Sequence, residues 1–102
     1  MYVVLITYTA PVEEVDYALP DHAEWLAKQY EAGLFLASGR QYQRTGDVII
    51  TRPMPRGKLD AILATDPFAL RELVHYNVVA FEATRTAHEL IEFNEAVAHE
   101  PA

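Results

Sequence analysis

Hydrophobic positions along this chain change period several times, and each change marks an element. From Tyr2 to Thr9 the chain is rich in β-branched and aromatic residues and apolar on both alternating faces, with Tyr2, Val4, Ile6 and Tyr8 on one and Val3 and Leu5 on the other. This predicts a strand buried from both sides. Ala10 to Leu19, with Pro11, Glu13, Glu14 and Asp16 and followed by Pro20, reads as an exposed connection. The stretch PDHAEWLAKQYEAGLFLASG then switches to helical period. Asp21 with Glu24 three residues on has the spacing of a capping box, which makes His22 the first helical residue, and Gly33 is the stop. On a helical wheel Leu26 and Gly33 centre the apolar face, flanked by Trp25, Tyr30 and Ala23. His22 and Gln29 fall in the same arc.

Leu34 to Ser38 is predicted as the second strand, Gly39 to Gly46 as a polar turn, and Asp47 to Arg52 as the third strand, stopped by Pro53 and Pro55. Leu59, Ile62, Leu63 and position 66 follow the i, i+3, i+4, i+7 rule, so Gly57 to Thr65 reads as a second helix. Asp66 before Pro67 can cap a short turn over Phe68 to Leu73. Val74 to Glu82 is the fourth strand, and Thr86 to Val97, with Leu90, Ile91 and Val97 expected inward, a terminal helix. The order β-α-β-β-α-β plus a helix is the ferredoxin-like split arrangement, an α+β fold with a four-stranded antiparallel sheet. Two helices cover one face only, yet the first strand is apolar on both. A second copy is therefore expected on the other face, making a dimeric α+β barrel, unless the terminal helix folds back over it.

Bulk properties narrow the function. At 102 residues the chain reads as one domain, with a core over 1–83 and the terminal helix at about 86–97, and its 51% hydrophobic and 23% charged content describes a globular protein. A net charge of -7, with eight basic residues scattered singly, argues against nucleic acid. The absence of cysteine removes thiol catalysis, iron–sulfur clusters and cysteine-bound zinc. The apolar start, MYVVLITYTA, is too short to span a bilayer and lacks a basic leader, so no membrane association and a cytoplasmic location are expected.

In the split topology the start of the first helix and the end of the second lie at one end of the sheet, so His22 and Asp66 converge there. Tyr8, Ser38, Gly39, His75 and Tyr76 arrive at the same end. A histidine at a helix start sits in the positive end of the dipole, which holds the ring neutral, as suits a general base. An aspartate taking the proton of one ring nitrogen would leave the other for substrate. Arg40, just past the second strand, can pair with an anion. The plainer readings also stand: an Asp-Pro at a helix junction is commonly a cap, and an inward histidine a satisfied core group. His75 reads as an edge residue, His88 and His99 as solvated. No histidine spacing suggests a metal and no glycine-rich loop a nucleotide, so no cofactor is expected.

The phrases DHAEWL, GLFLASG, GDVII and TDPF, in that order, resemble the YCII-related family over most of residues 1 to 82. The resemblance implies a ferredoxin-like fold, assembly as a dimeric α+β barrel, and a His–Asp pair proposed as an active site, falling on His22 and Asp66. It further implies cofactor-independent elimination or isomerisation of small cyclic compounds. Two departures stand out: Gly39 is followed by Arg40 where the family often has proline, and the helix expected from Thr86 extends the family pattern. The leading expectation is an enzyme in which His22 moves a proton, Asp66 orients it, and Tyr8, Ser38, Gly39 and Arg40 hold a small substrate. The alternatives are a non-catalytic dimeric ligand-binding or assembly module, and cofactor-free oxygenase chemistry of the kind other dimeric α+β barrels perform.

Overall fold

A computed structural model of the chain describes residues 1–97. Its elements are β1 (Tyr2–Tyr8), α1 (Val12–Glu31), β2 (Phe35–Arg40), β3 (Gly46–Thr51), α2 (Arg56–Leu63), a single turn α3 (Pro67–Leu70) and β4 (Val74–Ala80), followed by a short 3-10 segment (His88–Phe93). The four strands form one antiparallel sheet in the order β2-β3-β1-β4, which is the expected α+β, ferredoxin-like arrangement. Alternation along β1 sends Tyr2, Val4 and Ile6 against the helices. There they pack with Trp25 of α1, Phe35, Ile49, and Leu59 and Leu63 of α2. A second cluster joins Val15 and Ala18 of α1 to Phe68 of α3 and Leu73.

The first correction concerns α1. Residues 12–19 are not a connection but the first half of one continuous 20-residue helix that contains Pro20. Val15, Ala18, His22 and Trp25 repeat at helical spacing and are buried. Pro11 precedes the first turn, and Glu13 and Glu14 lie where the helix dipole favours carboxylates. Pro20 lacks the N–H that would bond the Asp16 carbonyl, and the helix tolerates this because Val15 and Ala18 before it are anchored in the second cluster, while after it His22 is stacked on Phe68 and Trp25 is buried in the first. His22 therefore sits mid-helix, away from the dipole end, and Asp21 caps nothing; its carboxylate accepts from Arg71 at 2.7 Å. The inward arc is also rotated, with Ala23 and Gly33 exposed.

Nor is there a regular helix over 86–97. Only the 3-10 turn forms, and Leu90, Ile91 and Val97 stay partly in solvent. The segment is held instead by Glu95, whose carboxylate accepts from the Ala83 backbone N–H and, at 3.0 Å, from the Met1 ammonium. Arg52 lies over the Phe93 ring. His99 lies outside the described residues.

The sheet face turned away from the helices is apolar. Val3 stands between Ile50 and Val79 on neighbouring strands, and Leu5 between Val48 and Asn77. Val79 is 46% exposed.

Candidate functional site

A polar row crosses the helix side of the sheet near one end. Arg40 of β2 stands opposite Asp47 of β3, Asp47 opposite Ile6 of β1, and Ile6 opposite Tyr76 of β4. Gly46 sets the start of β3, since a Cβ there would collide with the Ile6 carbonyl. Above this row lies His22, which reaches the end of the sheet because α1 overhangs it: about 30 Å of helix at 1.5 Å per residue spans more than the seven residues of β1.

His22 is 4% exposed and Asp66 fully buried. The ring Nδ1 lies 2.8 Å from Asp66 Oδ1. The same oxygen accepts the Phe68 backbone N–H at 3.0 Å, and Oδ2 accepts the Tyr76 hydroxyl at 2.5 Å. With two other donors already on this carboxylate, the ring nitrogen facing it is a donor too, so neutral His22 carries its proton on Nδ1 and keeps the Nε2 lone pair. Asp66 is thus both the cap of α3 and the partner of His22; the two readings of Asp-Pro coexist. Burial, reinforced by the hydrogen bond to Asp66, pushes the Tyr76 hydroxyl far above the ordinary phenol range, so it remains a donor.

Flat contacts fix the imidazole plane. The Phe68 ring stacks on it at 3.9 Å and 7°, and Trp25 lies on it at 5.6 Å. Trp25 is itself pinned by its indole N–H, which donates to Thr65 Oγ1 at 2.9 Å.

The Nε2 edge faces Asp47, whose Oδ2 is 3.9 Å away, beyond direct hydrogen bonding. Tyr8 donates its hydroxyl to that oxygen at 3.1 Å. Burial raises the Asp47 carboxyl above its ordinary range, opposed by the Tyr8 hydrogen bond and by the charges of His22 and Arg40. Tyr8 is raised as well, by burial and then by the Asp47 charge. His22 and Asp47 line a cavity of about 380 Å3, sized for a small molecule. Leu19, Ala23, Leu26 and Ile49 make its apolar walls, and Ser38, Gly39 and Arg40 its polar rim. Ser38 Oγ pairs with the Tyr30 hydroxyl at 2.6 Å.

The structure brings His22, Asp66, Tyr8, Ser38, Gly39, Arg40 and Tyr76 to one end of the molecule. His75 does not join them; it is exposed and stands beside Thr7 on the other face of the sheet. His88 is exposed on the 3-10 turn. Sequence reasoning missed Asp47 and Phe68. A signal for Asp47 was present: it is in phase with Ile49 and Thr51, so the third strand places a carboxylate on its buried face, where carboxylates are rare. Among the described residues, no group of three or more His, Cys, Asp or Glu is arranged to hold a metal ion, and no helix is long and apolar enough to cross a membrane.

The fold resembles that of 5-chloro-2-hydroxyhydroquinone dehydrochlorinase (TftG) from Burkholderia phenoliruptrix, solved in complex with 2,5-dihydroxybenzoquinone. The TM-score is 0.65 at 14% identity, over 79% of this chain and 93% of that one. At this identity the likeness concerns the fold. No curated protein matches the chain. The profile of the YCII-related domain matches residues 1–82, and the chain belongs to that family.

Proposed function

We propose that this protein is a small acid–base enzyme that uses side chains alone to catalyse elimination or isomerisation of a small, ring-shaped or anionic organic molecule. One observation carries the reading: His22 is locked to Asp66 at 2.8 Å through Nδ1, and its remaining nitrogen is turned to the side of a small-molecule cavity. In this reading Nε2 takes the proton and Asp66 stabilises the imidazolium that forms. Arg40 draws an anionic group to the rim, and Ser38 with the Gly39 backbone holds an oxygen that gains charge. The apolar walls suit a flat ring. The dehydrochlorinase, an elimination enzyme by its name, lends the same direction.

Trp25 is the only tryptophan and lies on the His22 ring, so its fluorescence reports binding. Hydroxylated and chlorinated hydroquinones, with 2,5-dihydroxybenzoquinone as a non-reacting ligand, are the compounds to try first. A bound compound whose turnover falls at least about 10²-fold in His22→Ala, with binding kept, supports the reading. Undiminished turnover in His22→Ala ends it.

The working unit in this proposal is a homodimer joined through the apolar sheet face of Val3, Leu5, Val48, Ile50 and Val79.

A further inference from the structure

His22 has carboxylates on both sides, and the acid–base reading above uses only one. We propose that Asp47 is a second proton-transfer group of this site, serving the Nε2 side of His22 as Asp66 serves the Nδ1 side. The assignment rests on the reading of His22 as a base and adds the acid that an elimination or isomerisation also needs.

Placement supports it. Asp47 is a carboxylate on the buried face of a central strand, lining the cavity, with one oxygen held by the Tyr8 hydroxyl at 3.1 Å and 3.9 Å from Nε2. A purely structural carboxylate in that position would be expected to close a hydrogen bond to the imidazole, as Asp66 does at 2.8 Å. The open gap is instead about an ångström longer than a charge-assisted bond, room for a substrate atom or for the proton to pass after a small movement. Every element around Asp47 sends a titratable or charged group towards it: Tyr8 from β1, His22 from α1, Arg40 from β2, Asp66 from the turn into α3, and Tyr76 from β4. Burial favours the protonated carboxyl, the form an acid must have.

The cycle balances without any other reactant. Neutral His22 takes a proton from the substrate, and the electron pair left behind forms the new double bond. A leaving oxygen departs with the bond pair and takes the Asp47 proton. A halide departs as the anion, so on a chlorinated hydroxyhydroquinone Asp47 instead protonates the ring carbon that bears chlorine as His22 takes a hydroxyl proton, and chloride then leaves as a second hydroxyl proton is released to water. His22 is then an imidazolium facing a carboxylate, and passing the Nε2 proton to Asp47 restores both. For an isomerisation the Asp47 proton goes to carbon instead. The working state of the pair holds one proton beyond that on Nδ1, so the rate falls on both sides of an optimum.

The test follows the Asp47 carboxyl carbon and the His22 ring nitrogens by NMR against pH in the isotope-labelled full chain. The expected result is a carboxyl step above the ordinary 3.8 that also appears at Nε2. Asp47→Asn, which keeps an acceptor for Tyr8, should erase that step at Nε2 and leave the Nδ1 proton bonded to Asp66. A carboxyl titrating in the ordinary range with no echo at Nε2 overturns the assignment. Turnover of a chlorinated hydroxyhydroquinone, read as chloride release, separates this idea from the one beneath it. Asp47→Asn should lose about 10²-fold or more and the limb where rate falls with rising pH. Full rate in Asp47→Asn with His22→Ala inactive overturns the role of Asp47 alone, and full rate in His22→Ala overturns both.

Discussion

Asp66 meets three donors with two oxygens, and the division of labour between them sets what a substitution does. In Asp66→Asn, Oδ1 can still accept from His22 and Phe68 while the new amide faces the Tyr76 oxygen, which can turn from donor to acceptor. We expect a stability loss of about 1 kcal/mol, against roughly 3 kcal/mol for Asp66→Ala, which orphans all three donors. Urea unfolding of both variants checks the ordering; equal losses would mean that the network is not shared in this way. Asp47 acts in the opposite sense. Its folded-state carboxyl is raised above 3.8, so the native protein holds a proton that the unfolded chain releases. Stability contributed by this group is therefore full below that value and is lost as pH rises through the raised one. Relative to Asp47→Asn, the parent protein should become progressively less stable from about pH 4 upward. Unfolding curves at a series of pH values give the sign directly, and a difference that grows in the parent's favour would contradict the burial of Asp47.

At the scale of elements, α1 shows where sequence patterning succeeds and where a single residue misleads it. The strands were legible because short apolar runs, rich in β-branched or aromatic residues in β1, β3 and β4, are bounded by glycine, proline or polar turns. His22 and Asp66 meet as expected, but because α1 overhangs the sheet and not because His22 opens the helix. The first half of α1 was not legible, because Pro20 and three acids in ten residues imitate a loop. Val15, Ala18 and His22 carry the helical period across it, but their partners, Phe68 and Leu73, are some fifty residues away in sequence and invisible to local pattern. The terminal segment failed the other way: Leu90, Ile91 and Val97 fit a helical stripe, yet it is held by the Met1 ammonium, the Ala83 amide and Arg52. If Pro20 is tolerated and not required, Pro20→Ala restores a donor for the Asp16 carbonyl in an exposed part of the helix. It should raise stability by about 1 to 2 kcal/mol, the interior-proline cost less the gain in unfolded-chain entropy. A drop in the urea midpoint would show that the site needs the bend or rigidity that proline imposes.

At the scale of the whole molecule, the sheet is finished on one face only. The helices bury Tyr2, Val4 and Ile6, while the opposite rows, centred on Val3 and Leu5, end at Val79 with nearly half its surface in water. The described chain is also extended, with a radius of gyration of 14.7 Å where a compact domain of this length has about 13 Å. A second copy laid on that face would remove the largest remaining strip of apolar sheet from water at no cost to the helix side, where the candidate site lies. Val79 is the place to test this, because β4 is an edge strand and its outward position is not part of either buried cluster. Val79→Arg should leave the circular dichroism spectrum and the monomer fold unchanged, while the sedimenting mass falls from twice 11.5 kDa to 11.5 kDa at micromolar concentration. If the parent protein already sediments at 11.5 kDa, the dimer is excluded. If Val79→Arg stays at twice that mass, the copies meet through some other surface.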